Sequence, residues 1–66
     1  MYIGTIKDGA VVNFENSAND YMKVCDRNGI GGVVNIATGE YIAIKDLEQY
    51  YEIDPNTATE INILIL

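Results

Sequence analysis

The fold is decided by residues 33–44, which read VVNIATGEYIAI. Two short β-branched and aromatic runs flank the pair Thr38-Gly39, and this pattern predicts a β-hairpin. A two-residue loop would place on one face the side chains of Val34, Ile36, Tyr41 and Ala43, with Tyr41 facing a core. The opposite face is also apolar, whereas a one-sided antiparallel sheet alternates apolar and polar residues. We therefore expect the hairpin to be covered on both faces, most simply by a second copy of the chain.

The residue composition favours strands over helices. The chain has ten Ile, five Val and four Thr, but only three Leu. Side chains branched at Cβ are restricted at χ1 and fit a pleated sheet better than a helix. A second hairpin is predicted around Asp8-Gly9, where residues 2–6 would pair with 10–14. Further strands are expected at 21–26 and 60–66.

Residues 45–53 fit two structures. In one, Asp46 caps a short helical turn near 46–51, which has Leu47 and the tyrosine pair 50–51 at helical spacing. In the other, a turn at 46–49 leads into a strand at 50–54, and the adjacent tyrosines favour this strand. We expect residues 1–66 to form a single small all-β domain. Its architecture would be a partly open antiparallel barrel or roll of five to seven short strands.

Length and charge exclude several functional classes. The 66 residues are 48% hydrophobic, which is typical of one folded domain and too apolar for a disordered chain. Four basic and ten acidic residues give a net charge of −6, so direct binding to nucleic acid is not expected. Histidine is absent and Cys25 is the only cysteine, which excludes a zinc finger, a disulfide framework and a histidine-based catalytic group. We expect no enzymatic activity, no cofactor and no metal.

The short chain also suggests where the protein acts and how it assembles. Domains of this size bury little of their surface, and self-association is one way to stabilise them, so we expect a homo-oligomer, with a dimer favoured. No apolar run is long enough to cross a bilayer and no basic leader segment is present, which predicts a cytoplasmic protein without membrane contact. Cys25 is expected to be a buried, unreactive thiol.

Two groups of residues are candidate binding sites. The first is an acidic stretch with tyrosines, suited to a basic surface on another protein: Asp46, Glu48, Tyr50, Tyr51, Glu52 and Asp54. The second is a glycine-rich loop with nearby cations, suited to a nucleotide or metabolite: Lys23, Arg27, Gly29, Gly31 and Gly32. Because a strand and not a helix follows this loop, a simple hairpin turn or bulge is the stronger interpretation.

Residues 34–40 read VNIATGE and lie in the middle of residues 23–54. Residues 23–54, about half of the chain, resemble short uncharacterised phage-encoded β-rich proteins of Gram-positive hosts, which contain a VN-x-x-TGE hairpin. The resemblance implies a small phage protein in the host cytoplasm and carries no catalytic residues across. We expect a non-enzymatic acidic interaction module, which in a phage would inhibit a host enzyme or defence factor. The alternatives are a homo-oligomeric protein that binds or sequesters a small ligand, and a structural or assembly subunit.

Overall fold

A computed structural model describes residues 1–15 and 17–61 of the chain. Five strands form one antiparallel sheet in the order β4-β3-β2-β1-β5. The strands are β1 (Val11–Asn13), β2 (Asp20–Cys25), β3 (Gly31–Asn35), β4 (Tyr41–Ala43) and β5 (Thr59–Glu60). One helix, α1 (Ile44–Tyr51), follows β4 directly, and two 3-10 turns cover Ile3–Thr5 and Pro55–Thr57. The predicted small antiparallel β fold is confirmed. Within the described residues β4 and β5 are the two edges, so the sheet is open and not closed into a barrel.

The core lies on one face of the sheet. Val33 pairs with Ile42 across β3 and β4, and both side chains are buried on this inner face. Helix α1 and the two 3-10 turns pack over the inner face and complete the core. The buried apolar residues form one cluster: Ile3, Ile6, Ala10, Val12, Phe14, Tyr21, Val33, Ile42, Leu47, Ile53 and Ala58. The domain therefore has two layers, a sheet and a cover of short helical segments.

Helix α1 decides between the two structures that the sequence allows at residues 45–53. Ile44 and Leu47, three residues apart, both pack against the core cluster. A strand would place residues at this spacing on opposite faces, whereas a helix places them on the same side. Because α1 extends through Tyr51 and residues 52–54 form no strand, the strand predicted at 50–54 is wrong. Asp46 does not cap the helix, which begins at Ile44; it lies in the first turn, where the helix dipole favours a carboxylate.

The hairpin predicted between residues 2–6 and 10–14 is also wrong, although its turn is present. Gly9 adopts a positive φ of 89° in this turn. Ile3 and Ile6 are both buried, and their three-residue spacing suits the first 3-10 turn better than a strand. Strand β1 instead pairs with β2 and β5.

The hairpin at residues 33–44 exists but has a different register from the predicted one. Val34 pairs with Tyr41, and Gly32 with Ala43. The shift by two residues keeps Val34, Tyr41 and Ala43 on a common face and removes Ile36 from the sheet. That common face is the outer one, so the prediction that Tyr41 faces the core is wrong; its side chain is 45% exposed.

The loop of this hairpin is long because Asn35 caps it. The Asn35 side-chain oxygen accepts hydrogen bonds from the backbone N–H groups of Ala37 (2.9 Å) and Thr38 (3.2 Å). The backbone N–H of Asn35 donates to the carbonyl of Glu40 at 2.8 Å, which closes a loop of residues 36–39. Gly39 ends the loop at φ 78°, a conformation that favours glycine.

The strand predicted at residues 60–66 is partly described. Thr59–Glu60 forms β5 beside β1, and the backbone N–H of Ile61 donates to the carbonyl of Val11 at 2.7 Å. The remainder of that predicted strand, residues 62–66, lies outside the described residues.

Candidate interaction surfaces

The outer face of the sheet has an apolar, accessible central patch, with Asn13 and the exposed Asp20 at one end of it. Cross-strand pairs connect Val11 to Met22, Met22 to Val34, and Val34 to Tyr41, so one row crosses four strands. Met22 is 38% exposed. We use the name outer face for Val11, Met22, Val24, Gly32, Val34, Tyr41 and Ala43, none of which carries a charge. An exposed apolar patch of this kind is typical of an interaction site.

The predicted acidic stretch lies on the exposed side of α1 and at its C-terminal end. Glu48, Tyr50 and Glu52 are exposed, whereas Asp46 is half-buried. The Tyr51 hydroxyl donates a hydrogen bond to Oε2 of Glu40 at 3.0 Å. We use the name acidic surface for Glu40, Asp46, Glu48, Tyr50, Tyr51 and Glu52. Sequence reasoning did not include Glu40, because only the fold brings the end of the β3–β4 loop beside the helix.

Asp54, the last residue of the predicted stretch, lies beyond the helix and has a structural contact. Its carboxylate accepts hydrogen bonds from the backbone N–H of Asn56 at 2.9 Å and from the Asn56 side chain at 3.1 Å. It thereby caps the second 3-10 turn, in which Pro55 occupies the first position. Its carboxylate therefore stabilises this turn, while the residue itself stays exposed.

The environment of Tyr51 is electrostatically negative. The hydrogen bond to Glu40 raises the pKa of Tyr51 above its ordinary value of 10.0, because the neutral hydroxyl is the donor. Partial desolvation and the negative charges of Glu40 and Asp46 raise this pKa further. A positive group placed here would be attracted by these carboxylates.

An open cleft of about 520 Å³ lies at the C-terminal end of α1. It is lined by Ser17, Ala18, Asn19, Tyr21, Tyr51, Glu52 and Ile53. Glu52 adopts a left-handed backbone conformation with φ 55°, which residues other than glycine rarely adopt. The sequence did not predict that residues 17–19 and Tyr21 line this cleft, because about 30 positions separate them from the end of the helix.

The glycine-rich candidate forms a tight hairpin between β2 and β3. Its residues extend from one strand through the loop into the next: Lys23, Arg27, Gly29, Gly31 and Gly32. The Asp26 carboxylate accepts the backbone N–H groups of Asn28 (2.8 Å) and Ile30 (3.0 Å). Two of the loop's N–H groups are thus already bonded within the chain. The interpretation of this segment as a hairpin turn is confirmed.

Lys23 is a buried residue of the inner face whose ammonium group is bonded within the chain. Its side chain is almost fully buried, and its Nζ donates to the carbonyl of Ile6 at 3.1 Å and pairs with Asp8 at 3.1 Å. The ammonium group that the ligand interpretation requires therefore already has two partners. Cys25, at the end of the same strand, is exposed, so the expectation of a buried thiol is wrong.

Within residues 1–15 and 17–61 the chain has neither a membrane-spanning helix nor a group of metal-binding side chains. Among residues 1–15 and 17–61, no helix is long and apolar enough to span a membrane. In the same part of the chain, no three or more His, Cys, Asp or Glu side chains are grouped in a way that could hold a metal ion. Comparison of the chain with family models, with curated proteins and with solved structures finds no match.

Proposed function

We propose that this chain is a non-enzymatic module that binds a basic surface of another protein through its acidic surface. The observation that supports this most strongly is the grouping of four carboxylates with two tyrosines around α1, in a chain of net charge −6. Tyrosine supplies rigid contact area with a polar tip, and carboxylates complement the positive charges of a partner.

Such an interface has a defined dependence on salt. Opposite charges at the edge of an interface mainly raise the association rate and select the partner. Mobile ions screen exposed charges beyond about 8 Å at physiological ionic strength, so binding weakens as salt is added. In a phage protein, as the VNIATGE motif suggests, the partner would be a host enzyme or defence factor whose basic surface is occupied and thereby inhibited.

Self-association is a second proposed property, and the outer face favours it. The residues named as the outer face cross four strands and carry no charge, and Asp20 at one end of β2 is the charged residue beside them, so this patch is a part of a strongly acidic chain that another copy can approach with little repulsion. A dimer would leave the acidic surface available for the partner. A large ring or filament would instead favour the structural or assembly subunit.

The proposed function is tested with charge-matched variants. Glu48→Gln/Glu52→Gln removes two carboxylates from the acidic surface, and Glu15→Gln/Glu60→Gln removes two exposed carboxylates elsewhere. Both pairs lower the net negative charge equally. The wild-type chain and both variants are used to capture proteins from a lysate of a Gram-positive host, at about 50 and about 500 mM salt.

We expect the wild type and the Glu15/Glu60 control to capture the same host protein at low salt, and the helix variant to lose it. Capture by the wild type and by the control should fall at high salt. Equal capture by the two double variants would contradict the proposed function, as would capture that does not change with salt.

A further inference from the structure

We propose that the cleft at the C-terminal end of α1 is a subsite for one cationic side chain, preferably arginine, of the basic partner. This inference rests on the proposed function and adds the place and the chemistry of the central contact.

The end of α1 attracts positive charge. The last carbonyl groups of a helix have no donor within the helix, and the dipole gives this end a partial negative charge. The Leu47 carbonyl accepts the backbone N–H groups of both Glu52 and Ile53, the latter at 2.9 Å. No basic residue occupies the last turn of α1 to neutralise this end. A cation from outside the chain can therefore fill that position.

Two carboxylates add to this charge. Glu52 lines the cleft, and Glu40 accepts the hydroxyl of Tyr51, another lining residue. Glu52 also occupies a position whose left-handed backbone is best suited to glycine. The chain thus has a carboxylate at the cleft where backbone geometry alone would favour a residue without a side chain.

Tyr21 is a buried tyrosine that lines the cleft. Its side chain is only 3% exposed and packs edge-on against Phe14, with 5.6 Å between ring centroids. Its hydroxyl makes no side-chain hydrogen bond with another described residue, although the residue lines the cleft. A phenolic oxygen can accept a hydrogen bond from a cation.

The tyrosine rings and the carboxylates together favour a guanidinium over an ammonium. Arginine presents several N–H donors in a planar fork, which can bond to separated acceptors at once. Its flat face also stacks on aromatic rings, and a cation near a tyrosine ring is attracted by the ring electrons. The half-exposed Tyr51 ring is the accessible aromatic surface of the cleft.

The experiment titrates the full chain with a capped Gly-Arg-Gly peptide, followed by backbone amide NMR. The matched probe is the same peptide with citrulline, which keeps the shape of arginine and lacks its charge. We expect saturable shifts at Tyr21, residues 17–19 and residues 51–53 with the arginine peptide. Affinity for the citrulline peptide should be at least about fivefold weaker, as expected when a charged hydrogen bond is lost.

Two variants complete the test. Glu52→Gln should weaken the arginine peptide several-fold while Glu15→Gln leaves it unchanged, and Tyr21→Phe should weaken it without removing the ring. Equal binding of both peptides, or shifts that avoid the cleft and appear only around Glu48 and Tyr50, would overturn the subsite. The second of these results would leave the proposed function intact. The proposed function fails separately if the two charge-matched double variants capture the host protein equally.

Discussion

The ring of Tyr41 lies over Gly32 on the outer face of the sheet. A methyl group at Gly32 would lie 2.6 Å from both Cε2 and the hydroxyl oxygen of Tyr41. Gly32 pairs directly with Ala43, so the aromatic ring crosses diagonally from β4 to β3. Glycine weakens a strand because it has no side chain to pack, and an aromatic neighbour that covers it compensates for this loss. The two residues should therefore be energetically coupled.

Their coupling is measured with a double-mutant cycle. In a Tyr41→Ala background, Gly32→Ala should stabilise the fold by about 0.5–1 kcal/mol, because alanine restricts the unfolded chain. In the wild type the same change displaces the ring, and this gain should disappear. Urea unfolding of the four chains gives the coupling energy. Identical effects of Gly32→Ala in the two backgrounds would contradict the contact.

Glu52→Gly should separate stability from binding. The left-handed backbone at this position suits glycine, so the free energy of unfolding should rise by about 1 kcal/mol. Binding of the arginine peptide should fall at the same time, because the carboxylate is gone. Glu52→Gln, as the control, should bind the arginine peptide several-fold more weakly with stability almost unchanged. A glycine variant that is less stable than wild type, or that binds the arginine peptide as tightly as wild type, would contradict this prediction.

The Tyr51 hydroxyl should ionise at a higher pH than an ordinary tyrosine, since its pKa is raised above 10.0 by Glu40. The hydrogen bond to Glu40 stabilises the fold below pH 10 and is lost as the pH rises through the raised pKa. Glu40→Gln should lower this pKa, and Glu48→Gln should leave it unchanged. Tyrosinate absorbance, taken as the difference from Tyr51→Phe, reports the titration. An unchanged titration in Glu40→Gln would exclude the contact.

Lys23 and Asp8 should contribute unequally to stability, although they form one ion pair. Lys23→Met should cost about 1–2 kcal/mol, because the buried Ile6 carbonyl loses its donor. Asp8→Asn should cost less than Lys23→Met, since the asparagine side-chain oxygen can still accept the hydrogen bond from Lys23 Nζ and the Asp8 side chain is 59% exposed. Urea unfolding distinguishes the two variants. Equal losses would show that the ion pair, and not the bond to Ile6, determines the effect.

The predicted dimer is tested on the outer face. Met22→Lys places a charge in the centre of this face, and Asn28→Lys places the same charge in an exposed loop as a control. Sedimentation equilibrium should show dimers for wild type and the control, and monomers for Met22→Lys, because an unpaired charge is costly to bury. A wild-type chain that remains monomeric at about 1 mM would contradict the prediction.

Some of this structure could be predicted from local sequence. The alternation at residues 21–26 located β2 to within one residue, and the glycine-rich segment that follows it was correctly interpreted as a turn. The register of the VNIATGE hairpin could not be predicted, because the side chain of Asn35 sets the loop length through bonds to two backbone N–H groups. The sequence favoured a strand over helix α1. The helix forms because Ile44 and Leu47 pack against the core, and this tertiary contact is not visible in the local sequence.

The acidic surface was predicted only where its residues are neighbours in the sequence. The stretch from Asp46 to Glu52 was found because acids and tyrosines are adjacent there. Glu40 and Tyr21 come from distant parts of the chain, and the fold alone brings them to Tyr51 and to the cleft. A site made by tertiary contacts between separate segments gives no signal in a short sequence window.

The most direct test is the dissociation constant between this chain and the host protein that it captures. The constant is measured for the wild type, Glu48→Gln/Glu52→Gln and Glu15→Gln/Glu60→Gln, at about 50 and about 500 mM salt. At low salt we predict about tenfold weaker binding for the helix variant, and binding within about twofold of wild type for the control. Equal weakening of the two charge-matched variants, or a constant that does not change with salt, would contradict binding through the acidic surface.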